Sequence, residues 1–542
     1  MRTILDPALF LATPEVVLLL VPLSLIAVYL HRKSSEFTTR SAGRPLPPGP
    51  RGLPILGNLF DLPKASPWVG YREMSKKYGN LVCLQVLGRS ILLIHDPKIA
   101  SDLLEKRSVV NSSRALSTAV EMAGWAWSMA FMPYGQWWRR HRRVFWQYFH
   151  PGAIFEYQGV LEQGAYRLLS RLLTTPENFE EHLRYALGTS ICKAAHGLDI
   201  AEKDDQRMEI FERALKSVDV LIEGATVLEY MPFLTAIPTW LPGTGFLRRL
   251  AEDRKYAHML RELPWTQAKE MATNGTSSNS MASAILEKIS RLDPASVLEE
   301  EGIAMSATGM AYAAGLDTQY AALQSLFPAL SLHPEVQRKA RAELDSVVGP
   351  NRLPTFADRD ALPYVGAIVK ELLRWHCVVP LGIAHCSIAD DEYGGYFIPE
   401  GTTILVNSWA ITHDPERYPE PDMFMPERFL KEGKLDTDAI DPAGVVFGFG
   451  RRYVILYLMC AICPGRYFAD ATFFIFVACV LHVFDITPPL DEDGCAIKIE
   501  PRATAGLISY LEDSRCTIRP RSSSAEELIR RTALEESATL SL

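Results

Sequence analysis

No disulfide framework can be read in this chain of 542 residues. Its nine cysteines are odd in number and scattered from Cys83 to Cys516, which excludes a small cross-linked secreted scaffold and fits a reducing compartment. No pair of CxxC motifs offers a structural zinc site, and the lone CxxC of Cys460 and Cys463 has no thioredoxin-like context. Positive charge is in deficit, with 56 Lys and Arg against 64 Asp and Glu and a net charge of −8, so there is no global field to draw nucleic acid. Internal repeats and Gly-Ser linkers are missing too, which argues for one large body. What is abundant is apolar material: 48% hydrophobic against 22% charged residues, enough for a large core and too much for disorder to dominate.

The apolar residues are unevenly placed. Val16 to Leu30, VVLLLVPLSLIAVYL, carries no charge and extends back toward Leu9, about long enough to span a bilayer as a helix. His31, Arg32 and Lys33 follow at once, then Arg40 and Arg44. Basic residues after the run, not before it, oppose a cleaved signal peptide and keep the C-terminal bulk in the cytosol. Residues 1–33 are therefore expected to be a membrane anchor. Residues 34–60 read as a proline-rich linker, stiffened into an extended chain over RPLPPGPRGLPILGNL, Arg44 to Leu59. Residues 61–520 read as the body, mostly α with small β-sheets: a hairpin in LVCLQVLGRSILLIHD, long helical stretches to about residue 345, strands from Tyr393 to Ala410, and an apolar helix from Tyr467 to about Phe484. Residues 521–542 read as a polar, frayed tail.

Four stretches hold residues suited to chemistry. In FGFGRRYVILYLMCAICPGRYFAD, Phe447 to Asp470, glycines allow tight turns and Cys463-Pro464-Gly465 leads a sulfur to a helix start, where a thiolate is stabilised and could bind haem iron. Glu371 and Arg374 in KELLRWH share a helix face and can pair. AAGLDTQ, Ala313 to Gln319, sets the acid Asp317 beside the alcohol Thr318, a pair suited to proton delivery, although ordinary polar residues on a wet helix face would look the same. Gly315 weakens that helix and could open space beside a ligand. In the cluster from Trp137 to Trp146, Trp138 and Arg142 fall one helical turn apart.

With Tyr453 to Ala461 set aside, the cysteine loop resembles the F-x-x-G-x-R-x-C-x-G haem loop of the cytochrome P450 family, and the other motifs follow in the family's order, most like its microsomal fungal members. The resemblance implies a single haem-thiolate monooxygenase domain behind a transmembrane helix. It implies haem b with Cys463 as the axial iron ligand and Phe447 in the cofactor loop, with Trp138, Arg142, His385 and Arg452 at the haem propionates. It further implies a structural network of Glu371, Arg374 and Arg428, the last from PERF, and catalytic proton delivery by Asp317 and Thr318; Gln319 departs from the hydroxyl residue usual there. Electrons would come from NADPH through a flavoprotein reductase, for which Arg139, Arg140 and Arg143 are either a docking face or merely solvated. A lipophilic substrate, in fungal secondary metabolism, would enter from the endoplasmic reticulum membrane past Ala123 to Met132, Val378 to Ile383 and Ala503 to Ile508.

The apolar insert Tyr453 to Ala461 divides that loop. Its removal restores the motif with no residue missing or left over, which favours a misplaced splice boundary over a genuine outward loop. The third reading is a haem-binding or small-ligand-binding pseudoenzyme.

Overall fold

The structure, a computed structural model, describes residues 35–450 and 463–540 apart from positions 116, 203, 231, 238, 239 and 242, together with Ser24, Val28 and Arg32. The expected anchor falls almost wholly outside the described residues, as do Arg452 and the insert Tyr453 to Ala461.

Alternating and β-branched residues build a small sheet. β1 (Leu81–Val86) and β2 (Arg89–Ile94) pair antiparallel, Leu81 opposite Ile94, around a Leu87-Gly88 turn in which both residues have positive φ, as a two-residue hairpin requires. Next comes β6 (Thr403–Val406), parallel to β2, and then β3 (His385–Cys386), which places His385 opposite Ile404. Between β3 and β6 a second hairpin, β4 (Asp391–Tyr393) with β5 (Tyr396–Ile398), stands apart.

The linker docks on that hairpin. Arg40 grips the Asp390 carboxylate, Nε at 2.9 Å from Oδ2, and Arg44 pairs with Glu392 at 3.0 Å. The Phe37 ring meets Phe397 edge-on at 5.5 Å, and the Phe397 amide donates to the Pro45 carbonyl. Residues 35–41 of the linker are helical, ahead of the prolines that exclude a helix, which begin at Pro45.

Helices make the rest. The principal ones are α1 (Pro67–Tyr78), α2 (Gln136–Phe149), α3 (Gln158–Thr174), α4 (Phe179–His196), α5 (Gln206–Tyr230), α6 (Gly245–Thr273), α7 (Pro294–Leu332), α8 (Pro363–Trp375), α9 (Arg466–Val483) and α10 (Ser523–Leu540). α7 starts at Asp293, whose side chain accepts the Ala295 amide, with Pro294 in the first turn, and stops ahead of Pro334. Its 39 residues run about 58 Å through the core, and α2, α4, α6, α8 and α9 all pack on it. α9 is long and apolar enough to cross a membrane, but Phe473, Phe474, Phe476, Val477, Val480 and Leu481 are all buried inside the protein, which makes it a core helix.

The expected frayed tail over 521–542 is overturned. After β7 (Phe484–Thr487) and β8 (Thr517–Pro520) pair antiparallel, α10 lies against α3 and α9. Ala525, Leu528 and Ile529 fall at helical spacing and are buried, so a short apolar stripe within a polar composition anchors the segment.

Candidate functional site

Cys463 sits three positions before Arg466, the first residue of α9. Its amide donates to the Phe447 carbonyl at 2.9 Å, so the two described shores of the interrupted loop meet, whatever passes between Gly450 and Cys463. The sulfur is accessible yet surrounded by enough protein that desolvation pushes its pKa up. Opposing that rise are the Arg142 and Arg466 charges and the Gly465 and Arg466 amides, all directed at the sulfur. The amides at the helix start and the two arginine charges act for a thiolate, but desolvation outweighs them.

Three cationic or donor groups lie near the same loop. Arg142, on α2, is 6% exposed and stacks on Trp138, its guanidinium 5.8 Å from the indole centroid. The Trp138 N–H is already committed, donating to the Met129 carbonyl at 3.1 Å, so a propionate would meet Arg142 and not that donor. His385 on β3 is buried, and its Nδ1 has no hydrogen-bond partner among the described residues; desolvation, and then the Arg114 charge, push it well below the ordinary histidine range. The backbone of Ser112, Ser113 and Phe449 closes on the same ring, which links β3 to the cysteine loop.

Arg114 is the residue that sequence reasoning missed. Its Nη1 donates to the Ile383 and Ala384 carbonyls, the latter at 2.7 Å, and among the described residues no carboxylate pairs with it. Burial pulls it down to about 10. A half-buried cation with no counter-charge among the described residues, beside a histidine nitrogen with no partner among them, has the chemistry of a place for an anion. No local pattern marks Arg114 in the sequence; the only signal was its place before a segment that returns to β3.

Midway along α7 the deep burial breaks. Met310, Ala314 and Thr318, four residues apart, form a partly open stripe in which Ala314 is exposed. The Thr318 hydroxyl donates to the Ala314 carbonyl at 2.7 Å. Asp317 lies one position round the helix, buried, accepting from Arg184 Nη1 of α4 at 2.9 Å and from the Tyr510 hydroxyl. Gly315 does not open space beside a ligand: a Cβ there would sit 3.3 Å from Ile191 Cδ1, so the glycine lets α4 approach α7, which stays helical throughout. Ser128, in the expected pocket segment, reaches the stripe by donating to Met310 Sδ. The other two pocket segments meet where the Ser509 amide donates to the Val378 carbonyl.

Glu371, Arg374 and Arg428 come together with no exposure at the first two. Arg374 Nε and Nη2 donate to the two Glu371 oxygens at 2.7 and 2.8 Å, Arg428 Nε lies 3.2 Å from the same carboxylate, and the Met425 amide adds a bond of 2.7 Å. Arg374 also ties down the Pro421 and Met423 carbonyls. The network fastens α8 to the segment 412–428 that leads toward the cysteine loop.

The basic face of α2 is partly self-satisfied. Arg140 pairs with Glu299 and with Glu300, the latter at 2.6 Å, and Arg139 covers the Tyr134 ring; Arg143 is left exposed.

A cysteine ahead of a core helix, with Arg114, Arg142 and His385 near its loop, brings together the residue types that a haem-thiolate site uses. The family profile for cytochrome P450 matches residues 47–508, and the chain belongs to that family. It is 38% identical over 501 residues to cytochrome P450 monooxygenase COX2 of Coprinopsis cinerea, covering 92% of this chain and 94% of the relative. It is 39% identical over 501 residues to cytochrome P450 monooxygenase 208 of Postia placenta, with 92% and 94% covered, and 37% identical over 525 residues to claR of Ampulloclitocybe clavipes, with 96% and 94% covered. The protein is a cytochrome P450 monooxygenase by family; membership brings with it a haem-thiolate iron, electrons supplied by a redox partner and a small-molecule substrate.

Proposed function

We propose that this chain is a membrane-anchored haem-thiolate monooxygenase that inserts an oxygen atom from dioxygen into a lipophilic small molecule, in fungal secondary metabolism. The observation that carries the reading is Cys463: an accessible sulfur facing two backbone amides and the Arg142 charge, at the start of a core helix. When bound, haem b would supply the oxygen-activating chemistry. Cys463 would hold the iron. Arg114, Arg142 and the Nδ1 of His385 would receive the propionates, a fit supported by one half-buried cation without a carboxylate and one buried nitrogen without a partner among the described residues. The small, exposed side chain of Ala314 would leave room for a flat ligand against α7, and Thr318 would turn its hydroxyl from the Ala314 carbonyl to carry a proton supplied by Asp317. Apolar segments around Ser128 and Val378 would exclude water from the reacting face.

Electrons would come from NADPH through a separate flavoprotein reductase. The uncharged run Val16 to Leu30 with its basic C-terminal flank supports a single-pass anchor in the endoplasmic reticulum with the body in the cytosol. The insert Tyr453 to Ala461 enters the test directly. The reduced protein is examined with carbon monoxide, as written and with those nine residues deleted. A thiolate-type red-shifted band in both forms means the insert is accommodated; a band in the deleted form alone means a working enzyme carries a misplaced splice boundary. No band in either form overturns the proposal. A band without NADPH-dependent turnover leaves the pseudoenzyme.

A further inference from the structure

Asp317 is held by a residue outside every motif of the sequence. Both of its oxygens are engaged, Oδ1 by Arg184 and Oδ2 by the Tyr510 hydroxyl. The Arg184 guanidinium lies 4.0 Å over the Tyr320 ring, and Tyr320 in turn faces Tyr510 at 6.1 Å, so four side chains from α4, α7 and a C-terminal hairpin close into one cluster. That hairpin is narrow. Ala503 pairs with Leu511, the Glu512 amide donates to the Arg502 carbonyl, and the partly open tip is apolar: Ala505, Gly506, Leu507 and Ile508. Tyr510 is cross-linked to the other side of the tip twice: the Thr504 amide donates to the Tyr510 carbonyl at 2.8 Å, and the Tyr510 amide donates to Thr504 Oγ1 at 3.0 Å. A cleft of about 290 Å³, lined in part by Ala503, Ser509 and Leu511, flanks the base and leaves it room to shift.

We infer that Tyr510 is a positioning residue: its hydroxyl holds Asp317 in a closed arrangement, and its cross-links to Thr504 make release of that acid depend on displacement of the 503–511 hairpin tip. The inference rests on the functional reading above, in which Asp317 supplies protons. With both carboxylate oxygens bonded and the Thr318 hydroxyl on a carbonyl, neither group is directed at the other. A lipophilic molecule pressing on Leu507 and Ile508 moves Tyr510 with the tip, because the two sides of the hairpin are bonded together. Oδ2 is then freed only when substrate is present.

The test compares the full chain with Tyr510→Phe, which keeps the ring and removes the hydroxyl, and with Thr504→Val, which keeps the shape and removes one cross-link. Amide hydrogen exchange over 503–511 is measured on each, and in the presence of a reductase and NADPH without substrate, the fraction of electrons lost to hydrogen peroxide is measured. The expected result for Tyr510→Phe is exchange faster by about tenfold and a peroxide fraction raised at least about twofold, with the carbon monoxide band kept. Thr504→Val is expected to move both in the same direction by less. Unchanged exchange overturns the inference, as does faster exchange with an unchanged peroxide fraction, which would make Tyr510 structural only. If the unmodified protein gives no carbon monoxide band, the functional reading fails separately, and the exchange of the Tyr510→Phe chain still decides the tether.

Discussion

Arg114 allows the cofactor reading to be tested by a difference of sign. In the protein alone its guanidinium is partly accessible but set deep enough that burial lowers it to about 10. At about 1.4 kcal/mol per pKa unit, up to roughly 3 kcal/mol is held against the cation. Arg114→Met removes that cost while keeping an unbranched apolar stem of similar width. It also removes the donor to the Ile383 and Ala384 carbonyls, worth about 1–3 kcal/mol if they are left unsatisfied. The two effects nearly cancel, so urea unfolding of the haem-free variant should stay within about 2 kcal/mol of the parent. With haem bound, the same change deletes a charge-assisted hydrogen bond to a propionate, about 1.5–3 kcal/mol, or roughly 10- to 100-fold in haem retention. The assay is the rate of haem transfer to an excess of a haem-free globin, run beside unfolding of both forms. Equal destabilisation with and without haem would refute the reasoning and reduce Arg114 to a tie between two carbonyls.

Glu371→Ala should destabilise the protein by about 3–5 kcal/mol, because it strands the Arg374 and Arg428 guanidiniums in the interior, whereas Glu371→Gln should cost less; equal and small losses in denaturant unfolding would contradict the burial. Ending the chain after Pro520 should lower the unfolding temperature and the unfolding free energy by several kcal/mol, since Leu528 and Ile529 are each worth about 1.5–3 kcal/mol, and an unchanged melt would mean that α10 is not docked. His196 is held at about 3 by desolvation, with neither ring nitrogen partnered among the described residues and the ring against Tyr312. Its folded pKa lies below its unfolded one, so its contribution is present above about pH 6.5 and is lost as pH falls toward 3. His196→Phe should therefore flatten the acid limb of stability by up to about 1.4 kcal/mol per pH unit, read from unfolding at pH 7 and pH 5.

What the sequence determined was whatever is encoded locally. Glu371 and Arg374 are three apart on one helix, Trp138 and Arg142 four apart, and Cys463 immediately precedes a helix start, so each arrangement follows from helical geometry before any tertiary contact is known. The hairpin of β1 and β2 and the apolar α9 were legible for the same reason, a short period in the pattern. What only the tertiary structure decided lies in pairs far apart in the chain. Arg114 gains its character from carbonyls some 270 positions away, Asp317 from Arg184 and Tyr510, and Gly315 from Ile191 on another helix. The tail was misjudged because composition averages over an α10 stripe of only a few apolar residues, and its stability comes from the surface it covers. Local spacing fixes which side chains share a helix face. Whether a charge there is solvated, paired or left waiting for an anion depends on what the fold packs against it, because desolvation is a property of the surroundings and not of the residue.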